Sequence, residues 1–191
     1  MPLGIGLIFS LLGDSTLYTV LPDPDIASQA GLTLGMVGVA LGINRLTRII
    51  TNGPAGALYD RLPRRPLMIF SIFFGAISTM CYAVAQGPVI MILCRIIWGI
   101  SWSGIWVGAN TIALDISRTD NRGELNGKLQ MWFFSGAALS AFTGGLFTDL
   151  FGYRGGLWIS TLLTACAGII WIIFLPETRS YSQQHPFNIQ Q

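Results

Sequence analysis

Six long apolar runs, separated by short polar stretches, account for most of the chain. They cover about Leu3 to Leu21, Thr33 to Tyr59, Leu67 to Ala85, Val89 to Leu114, Leu129 to Phe147 and Leu157 to Leu175. A membrane-crossing helix needs roughly 20 apolar residues, and each run meets or approaches that length. The pattern therefore predicts an all-α integral membrane unit of six transmembrane helices over residues 1–178. The breaks between the runs are chemically distinct. Pro22, Asp23, Pro24 and Asp25 open an acidic loop that reaches about Leu32, and Gln86-Gly87-Pro88 is a tight turn. Gly53-Pro54 predicts a kink near the end of the second helix. A polar connection runs from Asp115 to about Lys128, the Asp149–Arg154 turn follows the fifth run, and Pro176-Glu177-Thr178 closes the sixth. Residues 179–191 read as a polar cytoplasmic tail or the start of a linker, disordered from Ser180 onward.

Composition narrows the class. With 52% hydrophobic residues, 10% charged residues and a mean hydropathy of +0.59, the chain is too apolar for a soluble domain. The first run has no basic flank and carries Asp14, which argues for a retained helix rather than a signal peptide. Its abrupt start is expected to be clipped, with a cytoplasmic tail missing. Arg61, Arg64, Arg65, Arg118, Arg122, Lys128 and Arg179 fall on one side of the predicted topology and only Arg154 on the other. By the positive-inside rule both termini are then cytoplasmic, in a plasma (inner) membrane. The basic residues are scattered through short loops, which gives nucleic-acid binding no support. Cys81, Cys94 and Cys166 are odd in number, lie within apolar runs and read as small buried hydrophobes rather than a disulfide or metal framework. The single histidine, His185, lies in the tail, so no histidine-based catalytic or metal site is expected in the membrane.

Against this apolar background the intramembrane charges Asp14, Arg45, Arg48 and Arg95 stand out. Each costs at least ~2.5 kcal/mol on insertion scales, so such residues face a cavity or a partner. Asp14 and Arg45 fall near mid-depth on sequential helices and are candidates to pair. Arg45, Arg48 and Asn52 form one polar stripe on the second helix, beside Asn44. Two readings stay open: a substrate- or proton-responsive cavity lining, or a structural ion pair locking two helices. Trp98, Trp102 and Trp106 recur every four residues, a stripe suited either to stacking on a solute or to packing. Gly104 with Gly108, and Gly136 with Ser140 and Gly144, are small-residue seams for close helix approach.

The loop after the second run carries a resemblance. Gly56, Asp60, Arg61, Pro63, Arg64 and Arg65 resemble the G-x-x-x-D-R-x-G-x-R-R signature of the major facilitator superfamily of secondary transporters, with proline where the signature has its second glycine. Gly145, Asp149 and Arg154 repeat Gly56, Asp60 and Arg65 at one constant offset of 89 residues. With three helices per repeat, this fits the inverted three-plus-three repeat that builds each half of such transporters. The resemblance implies the N-terminal half of that fold, and further roles with it. Arg95-Ile-Ile-Trp98-Gly99 is similar to the fourth-helix element in which an arginine serves proton coupling, with Trp98 replacing the common glutamine. The alternative for Arg95 is snorkelling toward the interface. Asp115 occupies the place of an acidic partner to the loop arginine, so an Asp60–Arg61–Asp115 network is implied as a cytoplasmic gate. Gly127, Gly136, Gly144 and Gly145 are similar to the antiporter glycine pattern of the fifth helix, with Ser140 and Ala141 in place of its Gly-Pro pair.

The expectation is a secondary active transporter of a small solute, proton-coupled, working by multidrug or metabolite antiport and needing a second six-helix half, from a longer chain or another subunit. A sugar or organic-acid symporter is the alternative within the class, and a non-transporting membrane binding module the alternative outside it. No cofactor or metal is called for. An enzyme is disfavoured, since there is no H-E-x-x-H or G-x-S-x-G motif.

Overall fold

The computed structural model describes residues 2–118 and 120–179, and every regular element in them is helical. The elements are α1 (Pro2–Val20), α2 (Pro24–Gln29), α3 (Leu34–Arg61), α4 (Arg64–Val84), α5 (Pro88–Asp115) and α6 (Arg122–Phe174). Helix α6 is two spans in sequence. Gly152, at φ 72° and ψ 167°, interrupts its helical geometry and divides it into limbs 122–151 and 153–174. With that division, all six apolar runs lie in helices. Among the described residues five helices, α6 counted once, are long and apolar enough to cross a membrane.

Local chemistry explains where the elements begin. The acidic stretch after α1, expected as a loop, holds the short helix α2. The Asp23 carboxylate accepts the N–H groups of Asp25 and Ile26 at 2.9 and 3.3 Å, and Pro24 occupies the first turn, where its missing N–H costs nothing. The third apolar run was expected to begin near Leu67, yet α4 begins at Arg64. Only Leu62 and Pro63 separate it from α3, because Pro63 suits the cap and Pro66 the first turn of a helix. Helix α3 runs on through Pro54 to Arg61. Gly87 makes the turn before α5 at φ 83°, and its N–H donates to the Ala30 carbonyl at 2.9 Å.

The packing is symmetric in the way an inverted repeat requires. Helix α3 lies on α5 as the first limb of α6 lies on α1, while α4 packs beside both α5 and the second limb. Small side chains mediate these contacts, since in lipid there is no hydrophobic drive between apolar helices. A Cβ on Gly136 would stand 2.9 Å from the Ile8 Cα, and one on Gly144 would stand 2.7 Å from the Thr16 Oγ1. Between them the Ser140 hydroxyl donates to the Leu11 carbonyl at 3.0 Å. Ser78, Ser101 and Thr51 link α4 and α3 to α5 in the same way. The core fills with Leu7, Leu17, Tyr82, Met91, Trp98 and Trp171, all fully buried. By contrast α3 and the first limb of α6 expose apolar residues such as Ile49, Ile50, Phe134 and Phe142. Of the cysteines only Cys94 is buried. Cys166, expected inside, is exposed on the outer apolar surface, where a thiol packs against lipid as readily as in a core. The polar tail beyond Arg179, with His185, lies outside the described residues.

The break at Gly152 makes a test. Its backbone conformation is one that only glycine adopts without strain, at about 1–3 kcal/mol for other residues. Gly152→Ala is expected to lower thermal stability of the detergent-solubilised protein by that amount. Gly145→Ala, helical and with open space at its Cβ position, is expected to leave the melting temperature unchanged or raise it slightly.

Candidate functional site

The charged residues singled out by sequence collect in two places, one at mid-bundle and one at the end where α3 meets α4. At mid-bundle, a cavity of about 280 Å³ opens between α1, α3, α5 and the first limb of α6. Leu11, Asp14, Ser15 and Tyr18 recur at helical spacing along one face of α1 and form one wall. Arg45 and Arg48 stand one turn apart on α3, and Trp102 and Phe133 close the other side.

Asp14 does not pair with Arg45, as its depth had suggested. Its partner is Arg95 of α5, whose Nη1 donates to the Asp14 Oδ1 at 2.5 Å. Nor does Arg95 snorkel: its side chain is fully buried. A guanidinium in that position must be neutralised and hydrogen-bonded, and the fold does both. Its Nε donates to the Ala40 carbonyl of α3 at 3.2 Å, and its Cζ lies 4.9 Å from the centre of the Tyr18 ring and 5.6 Å from that of Tyr82. Asn44, buried beside them, donates to the Asp14 Oδ1 at 3.4 Å. The pair thus joins α1, α3 and α5 around one buried ion. Arg45 and Arg48 are left facing the cavity, Arg45 over Tyr18 at 5.8 Å and Arg48 over Trp102 at 5.7 Å. Asn52, on the same stripe, is exposed and does not line the cavity. Trp98, Trp102 and Trp106 stack in series, and Phe133 tilts against the last two.

The second cluster corrects the expected gate. Asp60 and Arg61 are exposed at the end of α3, and Asp115 bonds to Arg64 instead of Arg61. The reason is the early start of α4. It places Arg64 on the buried face of the first turn, with its Nε 3.1 Å from the Asp115 Oδ2 at the end of α5. The same carboxylate oxygen accepts the Thr178 hydroxyl at 3.0 Å. Glu177 completes the knot. Its two oxygens accept the backbone N–H groups of Arg64 and Arg65 at 2.9 and 3.1 Å, supplying from 112 and 113 positions away the N-terminal cap that Pro63 cannot make. Arg65 also donates to the Ile172 carbonyl. The latch therefore ties α4, α5 and the segment after α6 together. Burial opposes the charge on Glu177, but backbone N–H donation from Arg179, Arg64, Arg65 and Thr178 outweighs it and holds the carboxyl below its ordinary value. Among the glycines singled out by sequence, Gly136 and Gly144 sit in the α1 seam, while Gly56, Gly127 and Gly145 have open space at their Cβ positions.

Sequence reasoning missed Tyr18, Tyr82, Phe133 and the cap made by Glu177. Tyr18 had a signal, lying four residues from Asp14 on the same helix face. Tyr82 and Phe133 had none, because their role depends on which helices meet.

Two outcomes are expected. Removing one member of the buried pair, by Asp14→Ala or Arg95→Ala, should destabilise the protein by about 3–5 kcal/mol, with the double variant recovering part of that loss in a thermodynamic cycle. Arg45→Gln, which breaks no ion pair, should stay close to the native melting temperature. The latch should be acid-labile. Because the Glu177 carboxyl titrates lower when folded than when unfolded, its stabilisation is complete above the unfolded value, near pH 4.3–4.5, and is lost as pH falls through the folded one. Melting temperature measured from about pH 6 to about pH 3 should fall more steeply for the native protein than for Glu177→Gln.

The family model described as Major Facilitator Superfamily matches residues 3–190. The inner membrane transport protein YajR of Escherichia coli is 30% identical over 181 residues, covering 89% of this chain and 38% of that protein. The MFS antiporter QDR3 of Candida albicans is 27% identical over 171 residues, covering 88% of this chain and 24% of that one. Among solved structures, the human organic anion transporter MFSD10 superposes with a TM-score of 0.75 at 21% identity, over 93% of this chain and 47% of its own. The chain thus spans less than half the length of each of these proteins. The match over nearly its whole length, on a six-span helical fold, establishes that the chain belongs to the major facilitator superfamily.

Proposed function

We propose that this chain is the N-terminal half of a proton-coupled secondary transporter that works by antiport of a small drug-like or metabolite solute. The observation that carries the reading is the Asp14–Arg95 pair, an intramembrane carboxylate held by a buried arginine on the wall of the mid-bundle cavity. Its chemistry suits a coupling device. An ionised Asp14 compensates Arg95 and draws α1 onto α5. A proton on Asp14 removes that attraction and leaves the guanidinium to the Ala40 carbonyl, the Tyr82 hydroxyl and the two tyrosine rings. Proton and solute then favour different packings of the same helices, which is the condition for coupling. The likeness to a fungal protein named as an antiporter favours exchange over symport.

At the other end, the Arg64–Asp115–Thr178–Glu177 latch keeps α4, α5 and the chain after α6 moving as one body. The exposed apolar faces of α3 and the first limb of α6 are where a second six-helix half packs. Alternating access follows from rocking of the two halves about the cavity. The bias of seven basic residues to the latch end supports a cytoplasmic location for that end and for both termini, in a plasma (inner) membrane.

The test is transport by the intact protein in proteoliposomes. A pH gradient should drive accumulation of a fluorescent drug-like probe, and a protonophore should abolish it. Asp14→Asn should lose gradient-driven accumulation to the level of empty vesicles while retaining downhill exchange. Accumulation by Asp14→Asn at the native rate would refute the proposal.

A further inference from the structure

We infer that the mid-bundle cavity selects an aromatic organic anion, and that Arg45, Arg48 and Trp102 are its recognition residues. The inference rests on the proposed transport function, since it names the solute class of the same cavity. Charge is the first argument. Asp14 is matched by Arg95 at 2.5 Å, so the pair is neutral. Arg45 and Arg48 remain on the wall, and among the described residues neither has a carboxylate partner. Standing one turn apart on α3, the two like charges repel each other, and the apolar walls around them screen that repulsion poorly. An anion between them removes the conflict. A cation would add to it.

Geometry is the second argument. Both guanidinium groups are oriented by aromatic faces, Arg45 by Tyr18 and Arg48 by Trp102, which leaves their N–H edges for a planar acceptor such as a carboxylate. Trp102 is only 2% exposed, yet its indole N–H is buried without an acceptor. That N–H is closed to the cavity, so Trp102 contributes through its ring, which borders the cavity and orients the Arg48 guanidinium toward it. Phe133, tilted against Trp102 and Trp106, supplies the apolar surface for a ring attached to that acid.

Three probes sharing one ring system separate the terms: naphthoate, its neutral amide, and the cationic naphthylmethylamine. Binding is measured to the intact transporter in lipid nanodiscs, followed by pH-gradient-driven transport in proteoliposomes. Naphthoate is expected to bind about tenfold more tightly than the amide, with the cation weakest. Arg45→Gln and Arg48→Gln should each reduce naphthoate to the level of the amide, and Arg48→Lys should keep part of the preference. Melting temperatures close to native confirm that the variants are folded. Equal or better binding of the amide or the cation overturns the inference, and so does a preference for naphthoate that survives Arg45→Gln with Arg48→Gln. If the amide or the cation is bound and carried by the gradient while naphthoate is not, the anion assignment alone falls. If none of the three is bound, the anion assignment falls, and the transport proposal is decided separately by the Asp14→Asn accumulation assay.

Discussion

An arginine cannot sit fully buried in a membrane bundle without a counter-charge, and Arg95 is the residue around which this fold resolves that constraint. One carboxylate on α1, one carbonyl on α3 and two tyrosine rings from α1 and α4 converge on it. Dispersion between apolar helices is weak at choosing register, because lipid competes for the same surface. A single ion with directed donors is much more selective. The Asp14–Arg95 contact therefore fixes how α1 meets α5, and the seam of Gly136, Ser140 and Gly144 then sets how closely the first limb of α6 lies on α1.

The latch end obeys the same logic near an aqueous boundary. Helix α4 starts directly after Pro63, which cannot cap it, so its first N–H groups need an acceptor from elsewhere. Glu177 provides it, and Asp115 binds the side chain of the same residue, Arg64, whose backbone Glu177 caps. Two carboxylates from distant parts of the chain thereby meet on one helix start. Such a junction holds α4, α5 and the segment after α6 together at one point.

Much of this was legible in the sequence, for physical reasons. Six apolar runs of spanning length leave few alternatives in a bilayer, and the clustered Asp60, Arg61, Arg64 and Arg65 marked the turn and the family together. The costly residues were legible too, since Asp14, Arg45, Arg48 and Arg95 stand out against an apolar background. Their pairing was not. Depth along a helix can be counted, but the angle at which two helices meet cannot, and that angle gives Asp14 to Arg95 rather than Arg45. Likewise the shift of the latch contact from Arg61 to Arg64 follows from a helix that starts three residues ahead of its apolar run, where proline hides the boundary. The role of Glu177 depends on a contact across more than a hundred positions, beyond any local pattern.

The proposed proton coupling requires Asp14 to alternate between a carboxylate bound to Arg95 and a protonated acid released from it. Difference infrared spectroscopy of the intact transporter in bilayers, between neutral and acidic pH, observes that event directly. The prediction is a carboxylic-acid carbonyl band that appears on acidification together with a shift of arginine guanidinium bands, both absent in Asp14→Asn. An unchanged difference spectrum in Asp14→Asn would contradict it, because the titrating group would then lie elsewhere and the buried pair would be only a structural clamp.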